Sequence, residues 1–296
     1  MVDTDAALLY QLNTTAGCLF VGVTLTLCLY GCTCAQTLYY FHKYPRDRTY
    51  LKVLVVVVWL LDTGKVMAEI QEVWLDLVTR HGNPLALLEL DLWLGVEQVF
   101  EDATQAVVEL FFLQKVWHTA LFQSQKLLFS ILAGGLFLCE IVSNIWVENC
   151  LFTVTGSFNV QDEFNASTFS GTVCMALDIL ITAMLCYDLN LRRSEFSRTD
   201  NIVLRLIYYI MSRGIFLCFL QAVMLATNSG VDKYEGTFTS EIARPVLGTA
   251  LANSLLVLLN ERAHVREAVD RLMEPSCYSE PLDQIVFELH TVQRDI

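Results

Sequence analysis

The sequence predicts an all-α integral membrane protein, a seven-helix bundle with its N-terminus outside and its C-terminus in the cytoplasm. Three observations lead there. Seven long apolar stretches are separated by short polar loops. Charged residues make up 17% of the 296 residues, whereas ordinary soluble domains carry about 25%. Lys and Arg gather in alternate loops, the pattern that sets orientation in a bilayer. The mean hydropathy of +0.47 agrees.

A bilayer core about 30 Å thick needs roughly 20 apolar residues per spanning helix. Stretches of that kind fall near 16–38, 51–73, 93–114, 127–148, 171–190, 203–226 and 238–259. Residues 1–15 form a short extracytoplasmic N-terminus. They carry Asp3 and Asp5 but no basic segment, so the first span is expected to be a retained anchor, not a cleaved signal. Residues 16–260 form the membrane domain. Loop one holds Lys43, Arg46 and Arg48, with Lys52 at the edge of span two. Loop three holds Lys115 and Lys126, and loop five Arg192, Arg193, Arg198 and Arg205. The opposite side has only Arg80, Lys233 and Arg244. Residues 261–296 are a cytoplasmic tail. Leu258, Arg262, Val265, Val269 and Leu272 recur there at helical spacing, which suggests a short interfacial helix before Pro275. A short strand is expected at most near 284–292.

Two glycosylation sequons fall on the expected outer side. Asn13 lies close to the membrane, so Asn165, in a loop rich in Ser, Thr and Asn, is the better acceptor. Cys150 and Cys174 flank that loop, and the sequence leaves a disulfide between them open. Gly134-Gly135 and the pair Gly17 and Gly22 suit close helix packing.

Several function classes are disfavoured. A net charge of −13 is not that of a nucleic-acid binder. No CxxC pair occurs, and all five His fall outside the spans, so no metal site is expected. No nucleophile–base motif, phosphate loop or HExxH pattern is present, so no enzyme activity is expected. Span seven has no Lys for a retinal Schiff base, and no cofactor is implied.

The informative residues are charges inside the spans, each costing about 2.5–3.5 kcal/mol on insertion scales. Span two carries Asp62, Lys65, Glu69, Glu72 and Asp76 at steps of three and four, along one helical face. Span three carries Gln98, Asp102, Gln105 and Glu109, with Glu97 and Glu101 on a neighbouring row. Glu140, Asp178 and Arg213 follow in spans four, five and six. Together Asp62, Lys65, Glu69, Asp102, Gln105, Asp178 and Arg213 form a candidate polar cluster at the midplane. That cluster is either a cavity opening outward to a small ligand or cation, or a satisfied ion-pair network that fixes helix packing.

Leu29-Tyr30-Gly31, Gln36-Thr37, Tyr40-Phe41, Tyr44 and Asp47-Arg48-Thr49 run along span one and loop one. Asp62-Thr63, Glu109-Leu110-Phe111-Phe112, Arg198-Thr199-Asp200, Asn253-Ser254, Asn260 and Arg262 follow in order. This series resembles a family of basidiomycete fungal membrane proteins, domain of unknown function 6534, over roughly residues 16–265. The resemblance implies a seven-helix membrane protein with a variable tail, and brings no activity or catalytic residues. The chain departs from that family's pattern at Lys65, Glu109 and Lys115 and near Arg213. Lys65 and Arg213 are therefore expected to form a compensated pair peculiar to this chain.

The functional expectation is a receptor-like sensor with an outward-opening polar cavity. It would sit in the lipid bilayer, at the plasma membrane before internal ones, with a cytoplasmic signalling protein as partner. A proton- or cation-coupled carrier is the alternative, and a non-catalytic structural membrane protein the second alternative.

Overall fold

A computed structural model describes residues 14–80, 92–119, 123–152, 160–193, 200–235 and 237–273. The described residues are helical apart from a few turn and loop positions. The long helices are α1 (Ala16–Lys43), α2 (Thr49–Trp74), α3 (Leu92–Thr119), α4 (Gln123–Phe152), α5 (Val160–Arg193), α6 (Asp200–Thr227) and α7 (Arg244–Met273). A π-helical turn prolongs α2 over Leu75–Thr79 and α6 over Asn228–Asp232, and a 3-10 turn, Thr239–Ile242, leads into α7. The Asn13 sequon and the expected strand near 284–292 lie outside the described residues.

Among the described residues, five segments are long and apolar enough to cross a membrane: Ala16–Lys43, Leu127–Cys150, Phe164–Asn190, Ile210–Asp232 and Thr239–Arg262. The sequence led to an expectation of seven. The other two helices, α2 and α3, are long enough, but their charges at Asp62, Lys65, Glu69, Glu97, Glu101, Asp102 and Glu109 break the apolar run.

Each helix packs on its chain neighbour, and α7 returns to α1, so the seven form a closed ring. Inside it, α3 also touches α5 and α7, and α7 touches α2. In α7's apolar segment 72% of the residues are buried, against 22% in that of α4, which makes α7 central and α4 peripheral. The outward surface is apolar: Leu128, Ile131, Leu138 and Val142 of α4 and Ile215 and Phe219 of α6 are exposed. So large an exposed apolar area fits lipid, because water-soluble monomers rarely carry it.

The bundle is divided along its axis. We term the end where α1 begins the upper end. The lower half holds the hydrophobic core, with Leu51, Val55 and Val58 of α2, Phe111, Phe112 and Val116 of α3, Ile181 and Leu185 of α5 and Leu255, Leu256 and Leu259 of α7. The upper half of the same helices buries polar and charged groups. In α2 one seam, Leu51, Val55, Val58, Asp62, Lys65, Glu69 and Glu72, is buried throughout and changes from apolar to charged at Asp62. The opposite face, Val53, Val56, Leu60, Met67, Ile70 and Trp74, is exposed and apolar.

Two expectations need correction, and one open question is answered. The stretch before residue 171 is not a loop: α5 starts at Val160, and the Asn165 sequon is helical, with Asn165 accepting from Lys233 (3.0 Å) and Ser167 from Asn228 (2.9 Å). Buried Phe164 and Ala166 anchor that extension against the bundle. The interfacial helix expected after residue 260 is, as far as Met273, the unbroken end of α7. The disulfide left open by the sequence is not formed: Cys150 and Cys174 are not bonded to each other.

Helices α1 and α7 run parallel and are joined at repeated points. Asn253 donates to the Leu29 carbonyl and Asn260 to the Gln36 carbonyl, each at 3.0 Å and seven residues apart on both helices. Below them Tyr44 donates to the Asn260 carbonyl (2.8 Å), and the Asp47 carboxylate accepts from Tyr40 and Arg262 (both 2.7 Å). The Arg262 guanidinium also lies 4.9 Å from the Tyr44 ring centre. Near the upper end, Gly22 of α1 lies against the Glu241 backbone, and a Cβ there would collide with the Glu241 carbonyl. Gly134 has open space around the same position, so it does not serve the close packing its sequence suggests.

Two outcomes follow from these contacts. Gly22→Ala should lower stability by about 1–3 kcal/mol, the usual cost of forcing atoms into packed space, while Gly134→Ala should change little. Thermal unfolding in detergent compares the two. Burial opposes the Asp47 charge, but hydrogen bonds from Tyr40 and Arg262 and the Arg262 charge outweigh it and hold its carboxyl below the ordinary value. A lowered carboxyl stabilises the fold above the unfolded value, about 3.9 for Asp, and loses that effect as pH falls through the folded value. Wild type should therefore melt above Asp47→Asn near neutral pH, and the difference should shrink on acidification below about pH 4.

Candidate functional site

The expected midplane cluster is two networks separated by α3. The first lies between α2, α3 and α7. Lys65, fully buried, donates to Glu69 and to the Pro245 carbonyl (2.5 Å). Gly248, one helical turn along α7, makes room for it: a Cβ there would sit 3.0 Å from Lys65 Cε and 3.1 Å from Glu101 Cγ. Asp62 does not pair with Lys65 and accepts instead from Thr249 at 2.8 Å. Arg244 completes the network, with Glu241 at 2.7 Å, Glu97 at 3.2 Å and Glu101 at 3.9 Å. Glu72 is buried beside it.

The second network lies between α3, α4, α5 and α6. The Gln105 amide faces Glu109 (3.2 Å), Glu140 and the Cys174 sulfur (2.7 Å). Gln221 donates to Asp178 (3.0 Å) and to the same sulfur (2.9 Å). Arg213 does not pair with Lys65. It donates to Ser254 of α7 (2.8 Å) and stacks over Phe112, 3.8 Å from the ring centre. A cleft of about 310 Å³ between α6 and α7 runs past Arg213 into the lower half. Asp102 joins the first network at its edge, accepting at 3.0 Å from Gln98, which itself accepts from Arg244 at 3.3 Å.

Acceptors exceed donors in both networks. Asp62, Glu69, Glu72, Glu97, Glu101, Glu109 and Glu140 each keep a buried carboxylate oxygen without a hydrogen-bond partner. Carboxylates so placed in a low dielectric need a proton or a cation to balance them.

The family-like residues serve the helix interfaces. Asn253, Asn260 and Arg262 join α7 to α1 and loop one, Ser254 receives Arg213, and Thr63 bonds Tyr30 of α1 at 2.9 Å. Of this set Asp62 enters the first network, Ser254 touches the second through Arg213, and Arg262 is ion-paired with Asp47.

Residues 174–264 match the family of unknown function DUF6534. That stretch runs from the Cys174 of the second network through Arg244 and Thr249 of the first to the Asn253, Asn260 and Arg262 contacts. No curated protein and no solved structure matches the chain. The match and the apolar helices are consistent with a multi-pass membrane protein of unknown function.

Sequence reasoning missed four participants. Arg244 reads as an outer-loop residue, yet its side chain is only 13% exposed and meets three carboxylates. Its position two residues after Glu241-Ile242 and just before an apolar run was the available signal. Asp232 reads as a loop acid but is fully buried, accepting from Thr237 and Thr239 (both 2.7 Å) and Ser240 (2.8 Å) to shape the entry to α7. Gln221 reads as an ordinary span residue, and Cys174 as a candidate disulfide partner and not as part of a polar network.

The Lys65–Glu69 pair has a definite energetic signature. Lys65→Met leaves Glu69 as an uncompensated buried charge and should cost about 3–5 kcal/mol. Adding Glu69→Gln should restore most of that loss, and a double-mutant cycle of thermal unfolding in detergent measures the recovery.

Proposed function

We propose a seven-span membrane protein with its upper end outside, acting as a receptor-like sensor of a small cation or polar ligand. Counting α2 and α3 as spans rests on their two-faced design. All their deep charges point into the bundle, while the residues facing out are Val53, Val56, Leu60, Met67, Val99 and Leu110. Lipid would meet an apolar surface all round. The basic loops at the lower end support a cytoplasmic placement of that end.

The observation that carries the sensor reading is the one-sided polar interior. The first acid-rich network occupies the upper half, the second reaches down to Arg213 over Phe112, and the lower half is otherwise filled by residues such as Tyr40, Val55, Val58, Phe111, Leu255, Leu256 and Leu259. A ligand reaching the first network meets this mainly apolar core below it. It can act on α7, which supplies Arg244, the Pro245 carbonyl and Thr249 above and Asn260 and Arg262 below. One helix thus joins a ligand-accessible level to the cytoplasmic loop that a signalling partner would touch. No catalytic role is proposed.

The surplus of unpartnered carboxylate oxygens favours a second reading, a proton- or cation-coupled carrier. Flux assays in proteoliposomes separate the two. The sensor reading expects no protein-dependent movement of protons, sodium, potassium or calcium. A protein-dependent flux that Asp62→Asn abolishes would replace it with the carrier. Absence of flux, together with no partner recovered by cross-linking at the lower face in native membranes, would leave only a structural role.

A further inference from the structure

Glu109 of α3, Glu140 of α4 and Cys174 of α5 each offer a ligand atom, and these atoms lie within 4.8 Å of one another. We propose that they form a binding site for one divalent transition-metal ion of borderline softness, zinc being the type, held by a thiolate and two carboxylates. The sequence gives no hint of it, since the three residues lie on separate spans and include no His.

The hydrogen bonding points to a missing positive charge. Glu109 and Glu140 are 1% and 2% exposed, and each has one carboxylate oxygen with no hydrogen-bond partner. The Gln105 amide nitrogen stands before three acceptors, Glu109, Glu140 and Cys174, with two hydrogens to give. The Cys174 sulfur faces two amide nitrogens, from Gln105 and Gln221. Two donors directed at one sulfur suit a thiolate, which a metal ion stabilises. Gln221 is 1% exposed and has its amide oxygen unpartnered. Its amide nitrogen, 2.9 Å from the sulfur, puts this side chain at the edge of the site.

The donor set selects the ion. Calcium and magnesium take six or more oxygens, including water, and gain nothing from sulfur. One sulfur with two or three oxygens in a four-coordinate arrangement fits zinc, or cobalt in its place. A proton shared between Glu109 and Glu140, which are placed to hydrogen-bond each other, is the competing account. It satisfies the carboxylates but leaves the doubly donated sulfur and the Gln221 oxygen unexplained. The metal site does not rest on the sensor reading: a metal there could tie α3, α4 and α5 together in a protein of any function.

Cobalt(II) alone is the probe. The full-length protein in detergent, stripped with a chelator, should bind one cobalt per chain with a thiolate-to-cobalt charge-transfer absorption, and zinc should displace it. Cys174→Ser should abolish the band, and Cys28→Ser, at an exposed position, should keep it. Glu140→Gln, close in shape to the native residue, should weaken binding by roughly tenfold or more, at least the loss seen when a supporting neighbour of a metal ligand is removed. Zinc should raise the melting temperature of wild type and leave that of Glu140→Gln unchanged, which tests the site even where Cys174→Ser fails to fold. No cobalt binding, binding without the band, or a band that survives Cys174→Ser would overturn the proposal, as would a site that responds to pH and to no metal.

Discussion

A charge buried in a low-dielectric bundle has to be met by other groups of the protein, and Lys65 makes that constraint visible. It is fully buried and bonds to Glu69 on its own helix and the Pro245 carbonyl on another. Meeting Lys65 therefore fixes the distance and rotation of α7 relative to α2, and Gly248 on α7 is the concession that lets the helices come close enough. Thr249, the next residue, then reaches Asp62. Thus one cation and one missing side chain set the register of two helices across several turns. Hydrophobic packing alone is less exacting, since apolar side chains exchange neighbours at modest cost.

The same helix carries most of the other specific contacts. Asn253 and Asn260 repeat at seven residues and meet carbonyls at seven residues on α1. Two helices related by such a repeat keep one side-chain row facing the partner over two turns, which is the geometry of a nearly parallel crossing. Each Asn amide here finds in a helical carbonyl's second lone pair the acceptor that water cannot supply in the bilayer. A shift of α7 by one turn would leave both amides and the Tyr44 hydroxyl unsatisfied together. The contacts cooperate, and α7 has few partial movements open to it. That rigidity suits an element that transmits change from one end to the other, provided that both ends of it are engaged.

Much of the fold was legible, for physical reasons that also explain the gaps. Spacing in threes and fours put Asp62, Lys65, Glu69 and Glu72 on one face of α2, and the structure buries all four. The two rows read on span three divide by depth instead: Glu97, Glu101 and Gln98 turn toward Arg244, while Gln105 and Glu109 turn toward Glu140. Spacing along one helix says which residues share a face but not which helix that face meets, so one cluster was expected where two exist. Arg244 was misplaced because charge counting assigns a basic residue beside an apolar run to the loop. Three carboxylates at that depth make burial the better solution. The helical run through Val160–Ser170 escaped notice because its polar composition resembles a loop, and only the buried Phe164 and Ala166 show what it packs against.

The axial division of the bundle bears on what it can do. A polar network in the upper half is strong only while water is excluded, since the same ion pairs weaken steeply in high dielectric. The apolar lower half provides that exclusion from below, and the exposed apolar faces of α4 and α6 imply lipid at the sides. At the upper end the Asp232 turn and the Arg244–Glu241 pair close the top of α7, while a cleft between α6 and α7 runs past Arg213 into the lower half. Between these the surplus carboxylates lie in a low dielectric, where a proton or a cation has to balance them.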